Sequence, residues 1–506
     1  MNVAHTQTDR AVRRTPGPGA VLAALAAAQF TVMLATSIVN VALPQIRAGT
    51  GLTESGTTWV VNTYGLAFGA LLLAGGRVAD LLGRRRVLMA GLALFALASL
   101  AAGLATSAGV LIAARAVQGL GAAAIAPAAL ALAMDRASSG PERGRALGVW
   151  GAVSGAGAAG GVLLGGALTQ AWGWPWIFHS VALGAALVVA AVAVLVPRDA
   201  GRDTGRQAGR DTGRQSGRFD LLGTATVTLA LTGLVWGLTT ARGAGWTDAR
   251  VLGALGAAAA LFAAFAVIEL RRPDALIPAR LFATGRVAAG NLLMALLGSV
   301  WLALFFFLPL YQQQVLGSGP LATGAGQLPL AVAHMLGSAL APRVSRRFGA
   351  TATVTAALLT EAAGLLWLSR ISADGSYLTD LLGPSVLVGL GLSIAFVQLT
   401  ALAVDGVPRE DAGLAGGLVN TTRQVGGAIG LAALATLAGS VTAGASAGTP
   451  PLEALTAGYR TAFTVSAAVL AATALLALFL TRPTSSRTPT TPTTPSHLKS
   501  VAEQAV

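Results

Sequence analysis

Residues 111–123 read L-I-A-A-R-A-V-Q-G-L-G-A-A. The run is apolar and rich in small residues, and the stretch around it, 109–134, is long enough to cross a bilayer as one helix. Arg115 stands within it. A guanidinium does not lose its charge in a protein, and at bilayer depth it costs roughly 2.5 kcal/mol or more on insertion scales. Either its stem lifts the charge toward the interface, or the charge is buried for a purpose. Gln118 and Gly119 follow at i+3 and i+4, so a polar group and a close-packing position share the face of Arg115.

The rest of the composition agrees with a bilayer environment. Apolar residues make up 54% of the chain and charged residues only 11%, against about 25% charged for a soluble domain. The 64 glycines are spread through long apolar stretches, as expected where helices pack backbone to backbone in lipid. Cysteine is absent, which excludes disulfides and thiolate chemistry. Lys499, in a Thr/Pro/Ser-rich tail, is the sole lysine, so no phosphate-binding G-x-x-x-x-G-K-[ST] loop exists. His5, His179, His334 and His497 are too scattered for a metal cluster. No metal, cofactor or enzymatic constellation is therefore expected. The predominance of arginine, alanine and glycine reads as a GC-rich bacterial composition.

Fourteen spans are expected, near 19–44, 57–75, 87–105, 109–134, 146–169, 176–196, 219–240, 250–269, 287–310, 321–341, 350–369, 379–403, 413–440 and 460–480. With the N-terminus inside, the inner segments carry 27 of the 34 basic residues and the outer loops 5, namely Arg47, Arg242, Arg250, Arg370 and Arg460. This asymmetry predicts cytoplasmic termini in a multi-pass protein of the bacterial plasma (inner) membrane. It also explains the net charge of +14 as topological anchoring, so no nucleic-acid partner is expected. Trp172, Trp174, Trp176, Trp246 and Trp367 fall at outer span ends, where aromatic belts form. The expected organisation is a disordered cytoplasmic tail (1–18), a six-span bundle (19–196), a cytoplasmic linker (197–218), two extra spans (219–270), a second six-span bundle (271–480) and a disordered tail (481–506). The linker holds an eight-residue duplication, R-D-T-G-R-Q-A-G then R-D-T-G-R-Q-S-G, and reads as a flexible tether.

Between the second and third spans stands G-R-V-A-D-L-L-G-R-R-R-V-L, residues 76–88. Gly76 and Gly83 allow a tight turn and close approach, Asp80 can pair with an arginine or a helix end, and Arg84, Arg85 and Arg86 hold the loop inside. The spacing resembles the signature loop of the major facilitator superfamily, with Val78 and Leu81 as mild departures. The 111–123 run resembles the next signature, in which the arginine is implicated in proton coupling. Gly148, Gly157, Gly161, Gly165 and Gly166 of the fifth span pack helices closely, and their spacing resembles the antiporter signature of drug:proton exporters, with Val162 where that signature has proline. L-A-T-S-I-V-N-V-A-L-P (34–44), P-L-Y-Q-Q-Q-V-L-G (309–317), the stretch from Gly389 and G-L-A-G-G-L-V-N-T-T-R-Q-V-G-G (413–427) are similar to the fourteen-span drug:proton antiporter family, in its multidrug and quaternary-ammonium efflux branch.

The resemblance implies an all-α polytopic membrane protein with the major facilitator fold, two six-helix bundles plus two extra central spans. It implies a monomer exporting a drug or lipophilic metabolite against protons, with Gly76, Asp80, Gly83, Arg84 and Arg85 as a conformational latch. By analogy the cavity is lined by the first, fourth, ninth and twelfth spans, which makes Asn40, Asn291, Trp301, Phe305, Tyr311, Gln312 and Gln398 the candidate substrate contacts. Ordinary packing would account for each equally well. Ala35 stands where the family has a first-span aspartate. Arginine cannot take up and release the coupled proton, so other acids are candidates: Glu361 near the middle of the eleventh span, and Asp405 near the inner end of the twelfth. Glu361 could instead pair with Arg423 at similar depth. Coupling and gating candidates are thus Arg115, Gln118, Gly119, Glu361, Asp405 and Arg423. The missing acid favours a neutral or anionic lipophile over a permanent cation. The alternatives are a uniporter or symporter that has lost antiport, and a transport-dead receptor or assembly partner.

Overall fold

The computed structural model describes residues 17–136, 140–197, 221–271, 280–283, 286–407, 412–446 and 448–481. The duplicated linker and most of both tails lie outside these residues. The first group of helices is α1 (Pro18–Thr50), α2 (Glu54–Leu82), α3 (Arg84–Gly103), α4 (Ala108–Arg136), α5 (Gly140–Trp172) and α6 (Pro175–Leu195). A hairpin follows, α7 (Leu221–Ala244) and α8 (Ala249–Arg271). The second group is α9 (Val287–Gln314), α10 (Leu328–Phe348), α11 (Ala350–Leu368), α12 (Gly383–Ala403), α13 (Ala412–Ala443) and α14 (Pro451–Leu480). No strand occurs among the described residues.

Thirteen helices are long and apolar enough to cross a bilayer. The remaining long one, α10, has 21 residues but carries His334, Arg343, Arg346 and Arg347. The expected tenth span, 321–341, is in fact broken. A short helix, Pro320–Gly326, ends at Gln327, whose N–H turns back to Gly324 O at 3.2 Å, and α10 starts afresh with Pro329 in its first turn. The last helix starts nine residues before the expected 460, so Arg460 lies inside α14 and not in a loop. Its Nε donates to Ser369 O at 3.0 Å.

Local signals account for several helix ends. Thr53 caps α2 by accepting from Gly56 N at 3.1 Å. Asp248 caps α8 by accepting from Arg250 N at 2.8 Å, and the Arg250 guanidinium bonded to the same carboxylate holds that carboxyl below its ordinary value. Gly83 and Gly349 take φ of 96° and 84° between the second and third helix of each group, a conformation strained for any side chain.

The two groups repeat one packing plan. In the first, α1 packs on α5 and α6, α4 on α2 and α3, and α3 on α6. In the second, α9 packs on α13 and α14, α12 on α10 and α11, and α11 on α14. The repeat extends to single glycines. Gly119 abuts the α2 backbone at Tyr64 and Phe68, and Gly389 abuts the α10 backbone at Leu330 and His334. Gly157 and Gly161 abut Phe30 and Leu34 of α1, and Gly426 and Gly430 abut Ala295 and Ser299 of α9. Small residues let the backbones meet where lipid offers no hydrophobic drive for association. The halves join along α2 and α13, where Gly69 meets Gln424, and the α7–α8 hairpin leans on the same two helices from outside.

A Cβ at Gly389 would collide with Leu330 O, whereas one at Gly151 meets open space. Gly389→Val is expected to cost about 1–3 kcal/mol through overpacking and to lower the thermal midpoint of the detergent-solubilised protein, with Gly151→Ala within error of wild type.

Candidate functional site

Arg115 is not at the interface but sealed inside the first group, with 1% of its surface exposed. Its Nε donates to Val60 O of α2 at 3.0 Å and its Nη1 to Ala35 O of α1 at 3.5 Å. Nη1 also donates to Gln118 Oε1 at 2.6 Å, Gln118 Nε2 to Ser99 Oγ at 2.7 Å, and Ser99 Oγ to Phe95 O at 2.6 Å. The guanidinium lies 4.2 Å from the centre of the Tyr64 ring, and the Tyr64 hydroxyl bonds Val32 O at 3.2 Å. Carbonyls, an amide and a ring face thus carry the charge, and no ion pair to it occurs among the described residues. The residue where the family aspartate would stand, Ala35, supplies its carbonyl. Gly119 lets α4 approach α2 closely enough for Nε to reach Val60.

Arg423 of α13 is held differently. Its Nη2 donates to Asn420 Oδ1 at 2.8 Å, and its guanidinium lies 4.9 Å from the Trp301 ring and 5.8 Å from the Phe396 ring. Its Nε is buried without a partner among the described residues. Trp301 gathers Phe305, His334 and Phe396 around it at centroid distances of 6.3, 5.7 and 5.5 Å. Four helices, α9, α10, α12 and α13, therefore meet at one aromatic, cationic cluster.

Glu361 is fully buried in α11, beside Gly391 of α12, and neither carboxylate oxygen has a hydrogen-bond partner among the described residues. It forms no ion pair with Arg423, which turns to Asn420 and the rings instead. Glu361 and Phe95 are matched positions of the repeat, since Gly391 packs on Glu361 as Gly121 packs on Phe95. Asp405 is exposed in the turn after α12 and joins none of these clusters.

The other expected contacts disperse. Asn40 is buried with its Oδ1 unpartnered, and Asn291 bonds Val287 O at 2.9 Å and Thr422 at 3.1 Å. Gln398 donates to Ala341 O at 3.2 Å, tying α12 to α10. Tyr311 and Gln312 lie toward the end of α9, where Tyr311 bonds Ser372 O at 2.8 Å and Gln312 sits against Gly326. Near them the halves are joined: Gln45 Nε2 donates to Gln313 Oε1 at 3.2 Å, Gln313 Nε2 to Val41 O at 2.6 Å, and Leu321 N to Gln170 Oε1 at 3.1 Å. Sequence spacing does not single out Tyr64, Ser99, Asn420 or Phe396, because their partners are on other helices or are rings whose direction only the fold sets.

The family model of the Major Facilitator Superfamily matches residues 25–431. The chain belongs to this superfamily. A cephamycin export protein of Amycolatopsis lactamdurans is 40% identical over 426 residues, 83% of this chain and 85% of that one. A puromycin resistance protein of Streptomyces alboniger is 40% identical over 470 residues, 91% of this chain and 90% of that one. The crystal structure of an auto-inhibited POT family peptide transporter shares the fold at a TM-score of 0.66 and 15% identity, covering 92% of this chain and 96% of that one.

The superfamily's signature loop is built here from partly exposed charges. Arg84 bridges Asp80 at 2.9 Å and Asp135 at 2.6 Å, joining α2, α3 and α4, and Arg85 donates to Val196 O and Ala193 O at 2.8 and 3.0 Å. Gly76 lies against Pro127. The glycine stripe divides: Gly157, Gly161 and Gly165 face α1, whereas Gly166 faces Pro320 of the other half. Gly148 lies on α5, with its surroundings outside the described residues. Val162, at the signature proline's position, presents its carbonyl to Gly324 at the same seam.

Tyr64→Phe keeps the ring over Arg115 and is expected to change unfolding stability by about 1 kcal/mol or less. Tyr64→Leu removes the ring from a desolvated guanidinium and should cost about 2 kcal/mol, read by thermal or denaturant unfolding of both variants.

Proposed function

We propose that the chain is a secondary active exporter of the bacterial plasma membrane, moving a small lipophilic compound outward against proton entry by alternating access. The observation that carries the reading is the pair of repeated halves, closed by Gln45, Gln313 and the Pro320–Gly326 helix at one face, around one buried and one half-buried guanidinium, Arg115 and Arg423. Repeated halves rocking about a midplane site are the basis of alternating access. The export and resistance roles named for its relatives support the direction. The arginine-rich face, where both described ends of the chain lie, is the cytoplasmic one by the asymmetry of basic residues. The state is then closed outside, with the latch loop of Asp80, Arg84 and Arg85 on the inner face. The two halves and the extra hairpin act as the transport units 19–196, 271–480 and 219–270, and one chain suffices.

Glu361 is the proton carrier in this reading. Among acidic residues on the described helices it alone lies more than four residues from either helix end. An unpaired carboxylate at such depth is a functional site by default, and its matched position in the first half is a phenylalanine, so packing alone does not require an acid there. Asp405, exposed at the inner face, is at most a relay to solvent. Arg115, with Gln118 and Gly119, fixes α1, α2 and α4 together and transmits their movement.

The test is uptake of a compound panel into inverted vesicles and proteoliposomes with and without an imposed pH gradient. The gradient is expected to drive accumulation in wild type, and Glu361→Gln to reduce it to the level without a gradient while binding persists. Gradient-independent transport in wild type, or an unchanged pH dependence in the variant, would contradict the assignment. Absence of transport for every compound favours the receptor reading.

A further inference from the structure

The walls facing the junction of the halves carry an unbalanced charge. Helices α1, α9, α10, α12 and α13 contain no aspartate or glutamate, and those of α2, α4 and α5 lie at the helix ends. Against this, two guanidiniums lie at depth, Arg115 fully buried and Arg423 half-buried with its Nε enclosed. Three of the five N–H donors of Arg115 are taken by two carbonyls and Gln118, and the Tyr64 ring covers its face, so it has less left to offer a ligand. Arg423 is not saturated. One edge is taken by Asn420, its faces lie near Trp301 and Phe396, and its buried Nε donates to nothing described.

The fold does not demand an arginine at this position. Counting three residues back from the matched glycines Gly157 and Gly426 gives Ser154 and Arg423, and Ser154 makes an ordinary hydrogen bond from Gln29 at 3.1 Å. Counting six residues on from their partners Phe30 and Ala295 gives Thr36 and Trp301. The first half thus fills the two matched places with a small hydroxyl residue each, and the second half fills them with a guanidinium and an indole in contact. An unspent donor on a desolvated guanidinium strongly favours a carboxylate, and the fork geometry of arginine suits it. The surrounding rings offer stacking surface to an aromatic body. A cation entering the same space meets the like charge of Arg423 and no acidic residue on α9, α10, α12 or α13.

We infer that Arg423, Asn420, Trp301, Phe305, His334 and Phe396 form an anion subsite that takes the carboxylate of an aromatic, lipophilic acid. As cargo, that acid rests on the export reading above; as a ligand, it does not. The carboxylate accepts from Arg423 Nε while the aromatic body lies along Trp301 and Phe305. His334, edge-on to Trp301, orients the indole.

The full chain in lipid nanodiscs is titrated with 1-pyrenebutyrate, its methyl ester and 1-pyrenemethylamine, followed by tryptophan-to-pyrene energy transfer. Wild type is expected to bind the acid about tenfold or more tightly than the ester, and the amine least. Arg423→Gln should erase the acid's advantage and leave ester binding in place, whereas Arg423→Lys should keep part of it. An acid no tighter than its ester on wild type, a tightest-bound amine, no binding of pyrenebutyrate, or an acid preference that survives Arg423→Gln would each overturn the subsite. The wild-type comparison decides even if the variants fold poorly. If the acid binds as described but vesicles transport neither it nor any compound of the panel, the subsite stands and the export reading fails. If vesicles export the ester or amine with no preference for the acid, export stands and the subsite falls.

Discussion

Three charges at bilayer depth, Arg115, Arg423 and Glu361, constrain this molecule more than any other feature. Each would cost several kcal/mol if left bare in hydrocarbon, and the fold treats the three in three different ways. Arg115 is the best satisfied, by neighbouring dipoles: two backbone carbonyls, the Gln118–Ser99 relay and the Tyr64 ring. Arg423 is half satisfied and leaves a donor exposed to its cluster. Glu361 receives no hydrogen-bond partner among the described residues. In the reading proposed above, the best satisfied of the three charges serves as a structural tie, the half-satisfied one as a binding group and the unpartnered acid as the proton carrier.

The internal repeat makes this division readable. Because Gly119, Gly121, Gly157 and Gly161 have matched partners in Gly389, Gly391, Gly426 and Gly430, each functional residue can be compared with what the same backbone carries in the other half. Phe95 stands opposite Glu361 and Ser154 opposite Arg423. The helix contacts are thus common to both halves, while the chemistry is not. Neither guanidinium pairs with a carboxylate among the described residues, and the acid proposed for coupling and the cation proposed for binding sit on different helices, α11 and α13. Movement of the second half as a unit would connect them.

Much of this was legible in the sequence, and what was not has physical reasons. Span positions follow from runs of apolar residues, and the stripe of Gly157, Gly161 and Gly165 from helical periodicity, since both are local. The break at Gln327 escaped because the composition of 321–341 does not reveal a backbone that turns back at Gly324. Arg460 reads from the sequence as a loop residue because a charge flanking an apolar run looks the same whether the helix has begun or not. The contacts of Arg115 span 55 and 80 residues of sequence, and the ring partners of Arg423 come from two other helices. A pairing of Arg423 with Glu361, plausible from depth alone, does not form: Glu361 lies where α11 packs on α12 at Gly391, and Arg423 of α13 turns to Asn420 and two rings.

The central claim is that Glu361 carries the exchanged proton. Infrared difference spectroscopy of the protein in lipid, comparing H2O with D2O and substrate-bound with substrate-free samples, reads it directly. The account predicts a carbonyl band of a buried, neutral carboxylic acid in wild type that responds to substrate and vanishes in Glu361→Gln. Identical spectra for the two proteins would contradict it.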